Sequence, residues 1–93
     1  MIEERIKEII GSELPMAAKP LAAYIPAMQV GNLVMTSGQL PFKDGKLIAE
    51  GKLGKEVSDE LGIECAKVSA INCLSAVKTI IGNMDKIEKV IKL

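Results

Sequence analysis

The run Thr36-Ser37-Gly38-Gln39-Leu40-Pro41 is the most distinctive local string in the chain. It puts a hydroxyl beside a glycine at a point where a strand should leave its sheet. A glycine carries no Cβ, so another group can come close to the backbone there. Two readings follow: a strand leaving through a glycine into a proline-set extension, or a strand end whose Ser37 hydroxyl and Gly38 backbone line a small pocket. The rest of the sequence narrows the chemistry. It contains no histidine, which removes the commonest general base and transition-metal ligand. Arg5 is its only arginine, so the two-point grip on a carboxylate or phosphate is scarce. Cys65 and Cys73 lack a histidine that could activate a thiol. On one helix they would stand roughly 12 Å apart along the axis, beyond the roughly 7 Å that a disulfide spans. They read as two buried thiols in a reducing cytosol. Glu3-Glu4 and Asp59-Glu60 are adjacent on helix starts, where neighbours point about 100° apart, so neither is a catalytic carboxylate pair. No CxxC, HExxH, phosphate-binding loop or dinucleotide fingerprint occurs, and no cofactor or metal is expected. Met28 and Met35 read as core filler.

These residues need a frame. Ile2, Ile6, Ile9 and Ile10 fall at helical spacing between charged residues, predicting a short amphipathic helix over 1–10 that Gly11-Ser12 ends. Leu14 to Pro20 carries two prolines and reads as an arm. A first strand is predicted over 21–30, with Pro26 marking an edge or bulge. Gly31-Asn32 signals a tight hairpin into a second strand over 33–37. Asp44-Gly45 centres another turn, with a short strand expected at Leu47-Ile48 and a loop over 51–56. Ser58 is a good helix cap, Asp59 and Glu60 suit the first turn, and Gly82-Asn83 suits the end. The helix between them is expected to bury Ile63, Ala66, Ala70, Cys73, Leu74, Val77, Ile80 and Ile81 on a sheet. Glu60, Glu64, Lys67, Ser75 and Lys78 should face away, with Val68 and Ile71 interrupting that polar side. Residues 86–93 alternate and read as the start of a further strand. Tight turns between the opening strands exclude a simple βαβ nucleotide fold. The order fits an α+β layer, one long helix on a mostly antiparallel sheet.

With 93 residues the chain holds one domain, 1–93, in which 1–20 is a helix-and-arm extension. Twelve basic residues balance twelve acidic ones, which gives no electrostatic reason to expect nucleic acid binding. The start lacks an apolar signal segment, and no apolar run approaches the ~18 residues of a membrane span. A cytoplasmic location is expected. Only Tyr24 and Phe42 are aromatic, so the core is aliphatic and oligomerisation stays open.

The string Val30-Gly31-Asn32-Leu33-Val34-Met35-Thr36-Ser37-Gly38-Gln39-Leu40-Pro41 resembles the signature of the YjgF-like family, also called RidA for reactive intermediate deaminase. Older labels for that family are endoribonuclease L-PSP and translation initiation inhibitor. The element order agrees: a strand with a tyrosine, a Gly-Asn turn, the TSGQ strand, a loop, a long helix containing Asn72, and a Val/Ile-Lys strand. The N-terminal helix and the Tyr-Ile-Pro-Ala segment resemble a longer branch. The resemblance implies a fold like that of trimeric chorismate mutase, with the C-terminal part absent from these residues. It implies a homotrimer holding a small carboxylate ligand in clefts between subunits. Deaminase members convert enamines or imines such as 2-aminoacrylate to 2-keto acids and ammonia. The positions carried over to this chain are Tyr24, Ser37 and Gly38 as ligand-binding residues. The family arginine and glutamate match nothing here, so the chain alone is expected to be inactive. Deaminase members usually read Gly-Pro-Tyr-Ser where this chain has Ala22-Ala23-Tyr24-Ile25-Pro26. A ligand-binding trimer without turnover is therefore the alternative, and the ribonuclease or translation-inhibitor label a third, which the neutral charge opposes.

Overall fold

The structure is a computed structural model that describes residues 1–17 and 25–93. Helix α1 spans Ile2–Ile10 and ends at Gly11. Strands β1 (Ala27–Val30) and β2 (Leu33–Thr36) form an antiparallel hairpin around Gly31-Asn32. Strands β3 (Phe42–Lys43) and β4 (Lys46–Leu47) form a second, smaller one. At its tip Asp44 and Gly45 both take positive φ, 54° and 80°, the backbone of a tight primed turn. Helix α2 runs from Asp59 to Ile81, followed by a 3₁₀ turn at Met84–Lys86. The result is α+β, with α2 laid across β1, β2 and β3.

Both ends of α2 follow from local chemistry. The Ser58 hydroxyl accepts the Leu61 N–H at 3.2 Å, a side-chain cap on one of the four N-terminal donors left without helical partners. Gly82 leaves the helix with φ 75°, and its own N–H donates to the Lys78 carbonyl. Near the start, a Cβ on Gly62 would lie 2.3 Å from a Leu53 methyl. The bare glycine lets the 51–57 loop seat against the first turn, where Val57 is buried.

The expected helix face is not the buried one. Ile63, Ala66, Ala70 and Ile80 are exposed, and Cys73, Leu74, Val77 and Ile81 are only half-buried. The residues α2 buries are Val68, Asn72, Ser75 and Ala76, including the serine expected to face solvent. These recur four, three and one residue apart and so share one face, roughly opposite the expected stripe. The physical reason is that small and apolar residues occupy both the expected stripe and the 68–76 face, while Glu60, Glu64, Lys67 and Lys78 gather between the two, so periodicity did not distinguish them. The inner side is chosen by small volume and by polar bonds to the strap that follows β2.

Other expectations shift as well. Met28 and Met35, read as core, pair across the hairpin and point outward, as do Val30 and Leu33. Alternation puts them opposite Ala27 and Thr36, whose side faces α2. Among the described residues 86–93 make no strand, because nothing pairs with them, and Val90, Ile91 and Leu93 are exposed. Both cysteines are free and half-buried rather than buried. Of the first predicted strand, 27–30 is formed, while 21–24 lies outside the described residues. The β2 strand ends one residue earlier than expected, and β4 starts one residue before Leu47.

The N-terminal helix docks at the far end of α2. Asp85 accepts the Ile2 N–H, and Lys78 Nζ meets Glu3 Oε2 at 3.3 Å. Nothing in α1 is fully buried.

Candidate functional site

The candidate site is the strap from Ser37 to Phe42, which leaves β2 and crosses to β3 over α2. Pro41 lacks an N–H, so the strap cannot bond as a regular central strand at that point. Other groups hold it. The Ser37 N–H donates to the Pro26 carbonyl at 2.9 Å, and the Ser37 hydroxyl donates to the Ile25 carbonyl. At the other end the Phe42 N–H donates to the Leu40 carbonyl at 2.8 Å, closing a tight turn over Pro41. The Ile48 N–H donates to the Pro41 carbonyl at 3.1 Å.

These bonds sort the sequence-derived residues. Ser37 uses its hydroxyl proton on a backbone carbonyl, and the chain has no histidine to take it. Ser37 is thus built as an anchor and not as a nucleophile. Through Ile25 it fixes the strap to the residue that follows Tyr24 in sequence. Tyr24 itself lies outside the described residues. Gly38 is exposed, and a Cβ built there would meet nothing within 4 Å among the described residues. Its φ is not positive either. Neither backbone strain nor packing among these residues calls for a glycine at 38, which leaves open surface beside the strap.

Asn72, noted in the sequence only as part of the long helix, is the side chain that holds the strap. It is 7% exposed, one of two buried polar residues among those described, with Ser75. Its Nδ2 donates to both the Leu40 and the Phe42 carbonyls, each at 3.0 Å. Ser75 turns its hydroxyl to the Ile71 carbonyl one turn back and stays within the helix. An asparagine in the middle of an apolar helix was the available signal, since such a residue must find partners when buried.

Among the described residues, no histidine, cysteine, aspartate or glutamate cluster could hold a metal ion. No helix among them is long and apolar enough to cross a membrane. Arg5 lies on α1 and not on the strap.

A long helix on a hairpin, with a Ser-Gly strap held over it, is the architecture of the YjgF/chorismate mutase-like class. The chain belongs to that family: residues 3–93 match its model, described as "YjgF/chorismate_mutase-like, putative endoribonuclease". A structure titled as a "putative endoribonuclease" from Shewanella oneidensis superposes with a TM-score of 0.80 at 32% identity, covering 89% of this chain and 55% of that one. The protein Atu1372 from Agrobacterium tumefaciens, of unknown function, gives a TM-score of 0.83 at 40% identity, covering 97% and 54%. Protein TCP17 of Trypanosoma cruzi is 31% identical over 84 residues, 90% of this chain and 52% of its own length. The chain thus spans about half the length of the relatives it matches.

Proposed function

We propose that the Ser37–Phe42 strap forms one wall of a cleft for a small carboxylate, and that the wider reaction is RidA-type hydrolysis of an enamine or imine. In that chemistry water adds to the imine carbon, ammonia leaves, and a 2-keto acid remains. The observation that carries the reading is Gly38, a glycine required by neither φ nor packing among the described residues, on a strap bonded down on both sides. Tyr24, Ser37 and Gly38 are its proposed ligand-side residues, with Ser37 acting through its anchoring bond. No arginine lies on the strap: the single arginine is on α1. We assign these 93 residues a binding role within one domain and expect no turnover from them alone.

The outward face of the hairpin supports assembly into a homotrimer. Met28, Val30, Leu33 and Met35 make it wholly apolar, and all four are exposed. Burying such a surface between copies removes it from water. The cleft would then be completed by a neighbouring subunit.

Pyruvate, the keto acid derived from 2-aminoacrylate, is the probe. Titrated into ¹⁵N-labelled chain, it is expected to shift the Ser37–Phe42 amide signals. Gly38→Val is expected to abolish those shifts while leaving the unfolding midpoint in place. The reading fails if pyruvate moves no strap signal. Enzymatically generated 2-aminoacrylate, followed by ammonia release, should decay at the buffer rate with this chain. Salt-sensitive RNA cleavage in a parallel assay would favour the endoribonuclease label instead.

A further inference from the structure

We infer that Asn72 is the positioning residue of the site: a side chain that never meets the ligand but sets where Ser37, Gly38 and Gln39 stand. The inference rests on the strap being the ligand wall proposed above.

The argument begins with Pro41. A proline at this point removes a ladder donor and fixes one backbone angle, so the strap departs from the sheet and its carbonyls need partners elsewhere. The carbonyls on either side, Leu40 and Phe42, both point at α2. One planar amide group carries two N–H donors. Asn72 Nδ2 gives them to these two oxygens at equal distances of 3.0 Å. The donor comes from α2, thirty or more residues along the chain, so the bond ties two elements and not two turns of one.

The geometry of the remainder follows. The strap is fixed at Ser37 to Ile25 and Pro26, and at Leu40 and Phe42 to Asn72. Gly38 and Gln39 are the two residues between the fixed points. With both ends held, their placement is set by the distance between the anchors. With the α2 end released, the strap keeps its Ser37 anchor and the bond from the Ile48 N–H to the Pro41 carbonyl, but nothing ties the proline turn to α2. Asn72 is buried and spends both amide donors on the strap, so its effect on a ligand is exerted through the strap.

Ser75 supplies the control. It is as buried as Asn72, it lies one turn further along the same helix face, and its hydroxyl bonds only within the helix. Ser75→Ala removes a buried hydrogen bond within the helix and none to the strap.

The test compares Asn72→Leu, similar in shape but without donors, Asn72→Asp, nearly isosteric and unable to donate when ionised, and Ser75→Ala. Two properties are read in the full chain: ¹⁵N relaxation of residues 37–42 without ligand, and pyruvate affinity. Both Asn72 variants are expected to mobilise Gly38 and Gln39 and to weaken pyruvate about tenfold or more. Ser75→Ala is expected to leave both unchanged even where its unfolding midpoint falls. Should Asn72→Leu fail to fold, Asn72→Asp carries the comparison. The inference is overturned if the folded Asn72 variants keep a rigid strap, or if Ser75→Ala weakens pyruvate as much as they do. The two readings separate cleanly. Failure of the wild-type chain to bind pyruvate removes the proposed ligand, whereas strap relaxation still decides whether Asn72 positions it.

Discussion

The two long faces of α2 make opposite use of apolar surface. Its inner face, Val68, Asn72, Ser75 and Ala76, is half polar and buried; its outer face, Ile63, Ala66, Ala70 and Ile80, is wholly apolar and exposed. Composition alone would invert this. The inner face wins because its side chains are short enough for the hairpin and strap to approach closely, and because Asn72 and Ser75 bring their own partners. The outer face has no partner among the described residues. The outward side of the β1–β2 hairpin is in the same position, with Met28, Val30, Leu33 and Met35 exposed. Surface of this kind is what a larger assembly would cover.

The sharpest way to break this comparison is a charge on each face. Val68→Asp buries an unpaired carboxylate and should cost about 3–5 kcal/mol, enough to unfold so small a domain. Ile63→Asp, at a residue 60% exposed, should change unfolding by no more than about 0.5 kcal/mol. Denaturant melts of the two variants measure the contrast. Equal losses would show that the outer face is covered in solution. Ala76→Leu against Ala70→Leu is the milder version. The first overfills a site that is 1% exposed and should cost about 1–3 kcal/mol, while the second should leave the midpoint unchanged.

Below these come the helix ends. Ser58→Ala removes the N-terminal side-chain cap on α2 and should cost about 1 kcal/mol in a thermal melt, equally for either face. Lys78→Met breaks the pair with Glu3, both groups more than a third exposed. It should cost at most about 1 kcal/mol, falling as salt is added.

How much of this could be read from the sequence differs by element. Turns and helix ends were legible, because Gly31-Asn32, Asp44-Gly45, Ser58 and Gly82 each act within a few residues of themselves. The orientation of α2 was not, because Val68 and Ile71 on one side are as apolar as Ile63 and Ile80 on the other. A further strand over 86–93 was expected from alternation, but a strand exists only with a partner, and pairing is not a local property. At the candidate site, the Ser37-Gly38 string stood out by its residue types. Its attachment to Asn72 was not, since the two are separated by more than thirty positions and joined through backbone carbonyls that sequence does not distinguish.

The bond from Ile2 to Asp85 joins residues 83 positions apart. A nine-residue helix is too short to persist in water on its own. Helix α1 therefore has to wait for the end of α2 and the 3₁₀ turn that carries Asp85. Closing so long a loop is slow compared with forming a hairpin or a helix. The order of events in folding then runs against the order along the chain: α1 precedes α2 in sequence but takes its shape after it. A peptide of residues 1–12 should be unstructured by circular dichroism. In a refolding experiment followed by pulsed hydrogen exchange, the amides of α1 should gain protection after those of α2.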